Sequence, residues 1–299
     1  MFYRWKTRRR KERFYRLTAG ILDTSPMPVV DAPWSIVSMV SNSDVQMYLL
    51  AMKSFYSRLK RGKMTAIVDR DMPMAARQTL QHHLPGLRLA ILEDIDTGPC
   101  QRGGTWERLL YVIDRSREEY AIQLDADTLT FGPIEEVIRC VENNIAYTLG
   151  NEGEPIEPMP AIVPSARAMQ SNYVGVAAER LFDQYAGAEK LNYVRGSSGF
   201  CGFARGGIAR PEIEAFHREG ERLLGSRWTE WGTEQSASNF AIANTPGAIV
   251  LPYPKYANFD PAVKSAGTVF LHFIGSHRYL GDHFATLAQG VIAQLNAAG

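Results

Sequence analysis

Two carboxylates, Asp125 and Asp127, stand one residue apart at the end of the apolar run Ala121-Ile-Gln-Leu124. The run reads as a buried strand. In open α/β sheets, ligands bind outside the carboxyl ends of the strands. Paired hard oxygen donors there suit a divalent cation such as Mg²⁺ or Mn²⁺, held jointly by the protein and by phosphate oxygens of a second molecule. Two further Asp-x-Asp triplets, Asp69-Arg-Asp71 and Asp94-Ile-Asp96, run into Met-Pro and Thr-Gly-Pro. They read as solvated loops, because Asp, Pro and Gly favour turns.

A third donor lies far along the chain. His272 interrupts the apolar run Val269-Phe-Leu-His-Phe-Ile274, and Gly275-Ser-His-Arg278 follows. A histidine on such a strand is commonly a satisfied core residue. Neutral imidazole is also a common metal ligand, and Arg is suited to phosphate. Two carboxylates, one imidazole and a nearby guanidinium would neutralise a departing diphosphate by Lewis-acid and electrostatic assistance.

The elements that must position these groups alternate between strand and helix. Strands are expected at 34–40, 63–69, 87–92 and up to Asp125. Helices are expected at 45–61, closed by Gly62, at 73–84, and at 107–115, capped by Thr105. This alternation implies a parallel sheet with right-handed crossovers. Beyond Phe131 the pattern predicts helices at 133–141, 165–185, 211–224, 234–242 (capped by Thr233) and 282–295. Strands are predicted at 145–148, 248–251 and 268–273, with a Glu/Pro-rich loop at 152–164. Ser197-Ser-Gly-Phe-Cys-Gly-Phe-Ala204 alternates small and aromatic residues, and its glycines permit close backbone approach to a ligand. The turn after Val40 lacks GxGxxG and GxxxxGK[ST], which argues against a dinucleotide Rossmann site and a P-loop. His82, His83 and His217 fall on polar helical stretches and read as surface residues. Trp228 and Trp231 suit either stacking on an acceptor sugar ring or a core or loop-anchoring role.

The 299 residues suffice for a substantial core, and 45% hydrophobic with 22% charged residues is the balance of a globular protein. Of the 33 Lys/Arg, eight fall in residues 1–16, leaving 25 against 31 Asp/Glu in the rest. Bulk charge therefore excludes the body as a nucleic-acid binder. Cys100, Cys140 and Cys201 are odd in number and widely spaced, so they form neither a disulfide framework nor a zinc site, which favours the cytoplasm. No apolar run approaches the roughly 18 residues of a membrane span, and the basic head lacks a signal-peptide h-region. That head interleaves aromatic and basic residues. It reads either as an arm for peripheral contact with an anionic membrane face or as a frayed terminus. Residues 24–33 read as a Pro-rich linker.

The motifs together resemble a family. His272-Phe-Ile-Gly-Ser-His-Arg-Tyr279 is similar to the HFxGxxKPW ending of glycosyltransferase family 8, the glycogenin and lipopolysaccharide-galactosyltransferase type. Tyr120 to Leu129 is similar to its YLDADxL segment and Ser198-Gly-Phe-Cys-Gly-Phe203 to its NSGVxxF stretch. Glu234-Gln-Ser-Ala-Ser-Asn239 resembles DQDxxN. Leu251-Pro with Tyr256-Ala-Asn258 resembles LPxxYN. The resemblance spans residues 34–280. It implies a GT-A fold, an α/β architecture with a mixed, mostly parallel central sheet flanked by helices. A single catalytic domain would cover 34–299, with a nucleotide-binding half at 34–131 and an acceptor half at 132–299, after an arm and linker at 1–33. It further implies a retaining transfer from a nucleotide-diphosphate sugar, UDP-linked, to a glycan, lipid or other hydroxyl acceptor, with Mn²⁺ or Mg²⁺ as cofactor. Asp125, Asp127 and His272 would be metal ligands. Val40, Ser41 and Asn42 would meet the nucleoside, Gly275 and Arg278 the diphosphate, and Ser198 and Gly199 the donor sugar. Glu234, Gln235 and Arg108 would be catalytic, although Arg108 alone also reads as a solvated helix charge. Ser236 replaces the second Asp of DQD, and Arg278-Tyr279 replaces Lys-Pro. Two alternatives are a HAD-like phosphohydrolase, whose pattern does not expect Leu129, and a non-catalytic nucleotide-sugar-binding module.

Overall fold

The computed structural model describes residues 2–261, 267–275 and 278–298. Along the chain run α1 (Phe2–Leu17), β1 (Trp34–Met39), α2 (Val45–Leu59), β2 (Lys63–Val68), α3 (Met74–His83), β3 (Arg88–Ile91), α4 (Trp106–Ser116) and β4 (Tyr120–Leu124). Next come β5 (Thr128–Thr130), α5 (Glu135–Glu142), β6 (Tyr147–Leu149), β7 (Glu157–Pro158), α6 (Met159–Ala168), α7 (Val174–Glu179), β8 (Asn192–Tyr193) and β9 (Ser197–Phe203). The remainder is α8 (Arg210–Leu224), α9 (Thr233–Ala243), β10 (Ile249–Val250), β11 (Tyr256–Asn258), β12 (Phe270–His272) and α10 (His283–Ala298).

Seven strands form a sheet in the order β10-β6-β9-β4-β1-β2-β3. β1, β2 and β3 run parallel, as do β6 and β10, whereas β9 is antiparallel to β6. The expected mixed, mostly parallel sheet flanked by helices is therefore present. The parallel strands read as continuous apolar runs because helices cover both faces; Ile36, Val37, Ala66 and Ile67 are fully buried.

The chain divides into two compact units. The first comprises Met1–Glu93, Leu124–Glu135 and Tyr253–Gly299, and the second Asp94–Gln123 and Glu136–Pro252. In the first, α2 buries Leu49, Leu50, Met52 and Phe55 completely. A small sheet, β11-β12-β5, completes this unit. In the second, α4 buries Trp106, Leu109, Leu110, Val112 and Ile113 without residual exposure. Truncating one of these leucines to Ala would cost about 2–5 kcal/mol.

Several boundaries differ from the sequence reading for local reasons. α2 ends at Leu59, where Lys60 takes the left-handed conformation (φ 70°) and its N–H caps Tyr56 O at 2.7 Å. Gly62 instead faces Trp34, where an added Cβ would lie 2.6 Å from the indole. The stretch 152–164 is not all loop: α6 starts at Met159 with Pro160 in its first turn, where a missing N–H is harmless. The helix expected across 165–185 is broken, with α6 ending at Ala168 and α7 covering Val174–Glu179. Thr105 and Thr233 make no side-chain caps; Thr105 is itself left-handed (φ 72°), and Thr233 lies inside α9. The head is neither frayed nor isolated: α1 buries Phe14, at 3% exposure, against Phe284 and Tyr279. No helix among the described residues is long and apolar enough to cross a membrane.

Candidate metal centre and second-unit cluster

Three strands of the first unit assemble the acidic pair and the imidazole. β12 pairs parallel with β11, placing His272 beside Asn258, and antiparallel with β5, placing His272 opposite Thr128. The turn between β4 and β5 carries Asp125 and Asp127. Its shape is fixed by Thr128 Oγ1 donating to Asp125 O at 2.8 Å and by Phe273 N–H donating to Asp127 O at 2.8 Å. The result brings His272 Nε2 to 3.5 Å from Asp125 Oδ2 and 3.3 Å from Asp127 Oδ1. Ligand atoms of all three residues lie within 4.8 Å of one another, the one such group of three among the described residues.

The electrostatics of this cluster are those of a cation site. Asp127 and His272 are each 5% exposed. Burial pushes the imidazole pKa down, but Asp127 first and Asp125 with it outweigh that effect and hold it at about 9. The ring is then an imidazolium between carboxylates, and a metal ion entering there must displace its proton. Asn258 Oδ1 lies 3.0 Å from the other ring nitrogen, Nδ1. That acceptor keeps the proton on Nδ1 and leaves Nε2 as the lone pair for a metal, the usual arrangement behind a ligating histidine. Arg278 donates from Nη2 to Asp127 Oδ2 and from Nε to Phe273 O at 3.3 Å. Two oxygen donors and one neutral imidazole nitrogen, with a guanidinium alongside, fit Mg²⁺ or Mn²⁺.

The other first-unit candidates lie in connections. Val40 is buried and donates its N–H to Ile67 O at 2.8 Å. Ser41 Oγ donates to Asp44 Oδ2 at 2.6 Å, and Asn42 opens a short exposed 3₁₀ turn. Gly275 is exposed and left-handed (φ 48°), with nothing near the position of an added Cβ. Ser276 and His277 lie outside the described residues.

A separate cluster forms within the second unit around Glu234, which is 2% exposed in the first turn of α9. Its Oε1 accepts from Ser238 Oγ at 2.9 Å and Gln123 Nε2 at 3.2 Å, and its Oε2 accepts from Thr105 Oγ1 at 3.0 Å. Arg108 Nη2 stands 3.6 Å from Oε1. Arg108 is 4% exposed, so the solvated-charge reading fails: a helix face turned to the core buries it with its partner. Gln123 also donates to Ser198 O at 2.6 Å, and Gly199 N–H donates to Ser197 Oγ at 3.4 Å. Gln235 is half-buried and follows Glu234 on α9. Sequence reasoning assigned no part to Gln123, Ser238 or Asn258, and only a helix cap to Thr105. A signal existed for Gln123, a lone amide inside an apolar strand.

Two surface assignments change. His217 is fully buried, edge-on to Trp106 at 5.0 Å and to Trp228 at 6.3 Å. His83 is buried with Nδ1 3.1 Å from Lys53 Nζ. Trp228 is a core residue at 1% exposure, whereas Trp231 is 74% exposed.

No family model matches the chain, and no curated protein matches it. Solved structures do. The apo structure of the bifunctional glycosyltransferase WbbM aligns at 14% identity and a TM-score of 0.52, covering 88% of this chain and 52% of that one. The chain therefore spans about half the length of WbbM. An active-site mutant of LgtC aligns at 11% identity and a TM-score of 0.52, covering 87% of this chain and 95% of that one. These likenesses establish the fold: it is the GT-A fold of glycosyltransferases.

Proposed function

We propose that the protein is a metal-dependent glycosyltransferase. It moves a sugar from a nucleotide-diphosphate donor, UDP-linked, to a hydroxyl of a glycan or lipid acceptor, with retention at the anomeric carbon. The observation that carries this reading is the convergence of Asp125, Asp127 and His272 within 4.8 Å in a chain of GT-A fold. Fold alone does not name an activity; the site is what supports this reading.

Asp125, Asp127 and His272 would hold Mn²⁺ or Mg²⁺, which supplies a Lewis acid for the leaving diphosphate. Arg278 adds a delocalised charge suited to phosphate oxygens. Val40, Ser41 and Asn42 are assigned to the nucleoside, and Gly275 to close backbone approach at the phosphates. In the second unit, Ser198 and Gly199 are assigned to the donor sugar, and Glu234, Gln235 and Arg108 to the reaction centre. Glu234 suits such a role because its position is fixed by three side-chain donors. Trp231 is the aromatic surface available to an acceptor ring. The exposed Arg8, Arg9, Arg10 and Arg16 of α1 would meet an anionic membrane face on the cytoplasmic side.

Thermal-shift measurements with UDP- and GDP-sugars, with and without Mn²⁺, test the reading. A midpoint that rises only when nucleotide and metal are both present supports it. Hydrolysis of simple phosphate esters in place of sugar transfer would contradict it.

A further inference from the structure

The C-terminal half of α1 is tied at once to two connections of the proposed donor site. On one side, Tyr15 donates from its hydroxyl to Ser43 O at 2.7 Å and Asp44 Oδ1 at 3.2 Å. Lys11 Nζ donates to Ser43 Oγ at 3.2 Å. Gln46 Nε2, at the start of α2, donates back to Tyr15 O at 2.7 Å. Asp44 in turn accepts from Ser41 Oγ at 2.6 Å. On the other side, Arg13 Nε donates to Asp282 Oδ2 at 2.8 Å. Phe14 packs between Tyr279 and Phe284, ring centroids 5.5 and 4.6 Å away, and Phe284 stacks on Phe273 at 4.0 Å. Asp282 is left-handed (φ 55°), a conformation that Asp tolerates better than most non-glycine residues.

We infer that α1 is a positioning element for the donor site, a single rigid helix that fixes the turn after β1 and the segment bearing Arg278 in one register. The inference rests on the donor reading above. Its physical basis is that a helix in a protein draws most of its stability from tertiary packing rather than from propensity. α1 folds here by spending its buried aromatic and its hydrogen bonds on these two segments, and on the start of α2 and α10. Both connections therefore lose a constraint together when α1 is loosened. Tyr15 and Arg13 need not touch a ligand for this.

The test measures binding of UDP and GDP with Mn²⁺ by calorimetry, alongside unfolding temperature. Tyr15→Phe removes the hydroxyl and keeps the ring. Arg13→Glu reverses one end of the ion pair, and Asp282→Arg in the same chain restores an opposite-sign pair. Tyr15→Phe and Arg13→Glu are expected to weaken nucleotide binding about 5-fold each, the loss of one or two hydrogen bonds, with the affinity for Mn²⁺ alone unchanged. Arg13→Glu with Asp282→Arg is expected to recover most of the loss. Wild-type protein that binds nucleotide while both single variants bind it equally well overturns this assignment and leaves the donor reading standing. Wild-type protein that binds neither nucleotide overturns both.

Discussion

Asn258 Oδ1 lies 3.0 Å from His272 Nδ1, across two strands that pair in parallel at these two residues. The amide oxygen selects the tautomer in which Nε2, the nitrogen facing Asp125 and Asp127, is free of its proton once the ring is neutral. Removing such an outer partner commonly costs 10–100-fold in metal affinity, about 1.4–2.7 kcal/mol. Asn258→Ala should therefore weaken Mn²⁺ binding by about that factor, as measured by titration calorimetry, with little change in secondary structure. Wild-type affinity in the variant would show that the amide has no part in presenting the ring.

Lys53 is fully buried, and its ammonium donates to Thr24 Oγ1 at 2.7 Å and Ser25 O at 2.9 Å, 3.1 Å from His83 Nδ1. Burial lowers Lys53 from 10.5 to about 8. Burial and then the Lys53 charge lower His83 from 6.5 to about 4. Each group thus binds its proton more weakly folded than unfolded. Between about 4 and 6.5, and again between about 8 and 10.5, the unfolded chain holds the extra proton, so stability rises with pH through both windows. Urea midpoints followed across pH should climb in the upper window for wild-type protein and stay flat there for Lys53→Met.

Arg108 and Glu234 form a buried pair at 3.6 Å. Deleting one member of such a pair strands the other charge, at about 3–5 kcal/mol. Arg108→Met should lose stability on that scale in urea unfolding. Glu234→Gln removes the charge that Arg108 faces, so it should lose stability on the same scale and should also lower turnover if the carboxylate serves the reaction. Equal stability of Arg108→Met and wild type would contradict the pairing.

Trp228 and Trp231 are three residues apart and separate cleanly. Trp228→Ala removes a side chain that is 1% exposed and should cost about 3–5 kcal/mol. Trp231→Ala removes one that is 74% exposed and should leave unfolding unchanged while raising the acceptor KM. An unaltered KM for the acceptor would exclude Trp231 from the acceptor contact.

The acidic pair is legible in the sequence because a buried strand announces itself as an apolar run, and carboxylates at its end stand out. His272 is legible because a histidine inside Val269 to Ile274 breaks the same pattern. Asn258 is not, since only strand register brings it to a histidine 14 residues away. His217 and His83 read as exposed because their own helices are polar. The indoles and the ammonium that enclose them come from other elements. The burial of Phe14 is hidden in the same way, by the basic residues around it and by the distance in sequence to Phe284.

The central claim is that Asp125, Asp127 and His272 hold one metal ion that a nucleotide diphosphate requires. Calorimetric titration of UDP and GDP with and without Mn²⁺, on wild-type protein and on Asp127→Ala and His272→Ala, tests it directly. Wild-type protein should bind a nucleotide only with Mn²⁺, and both variants, still folded, should lose this metal-dependent binding. Metal-dependent nucleotide binding of wild-type strength in both variants would contradict it.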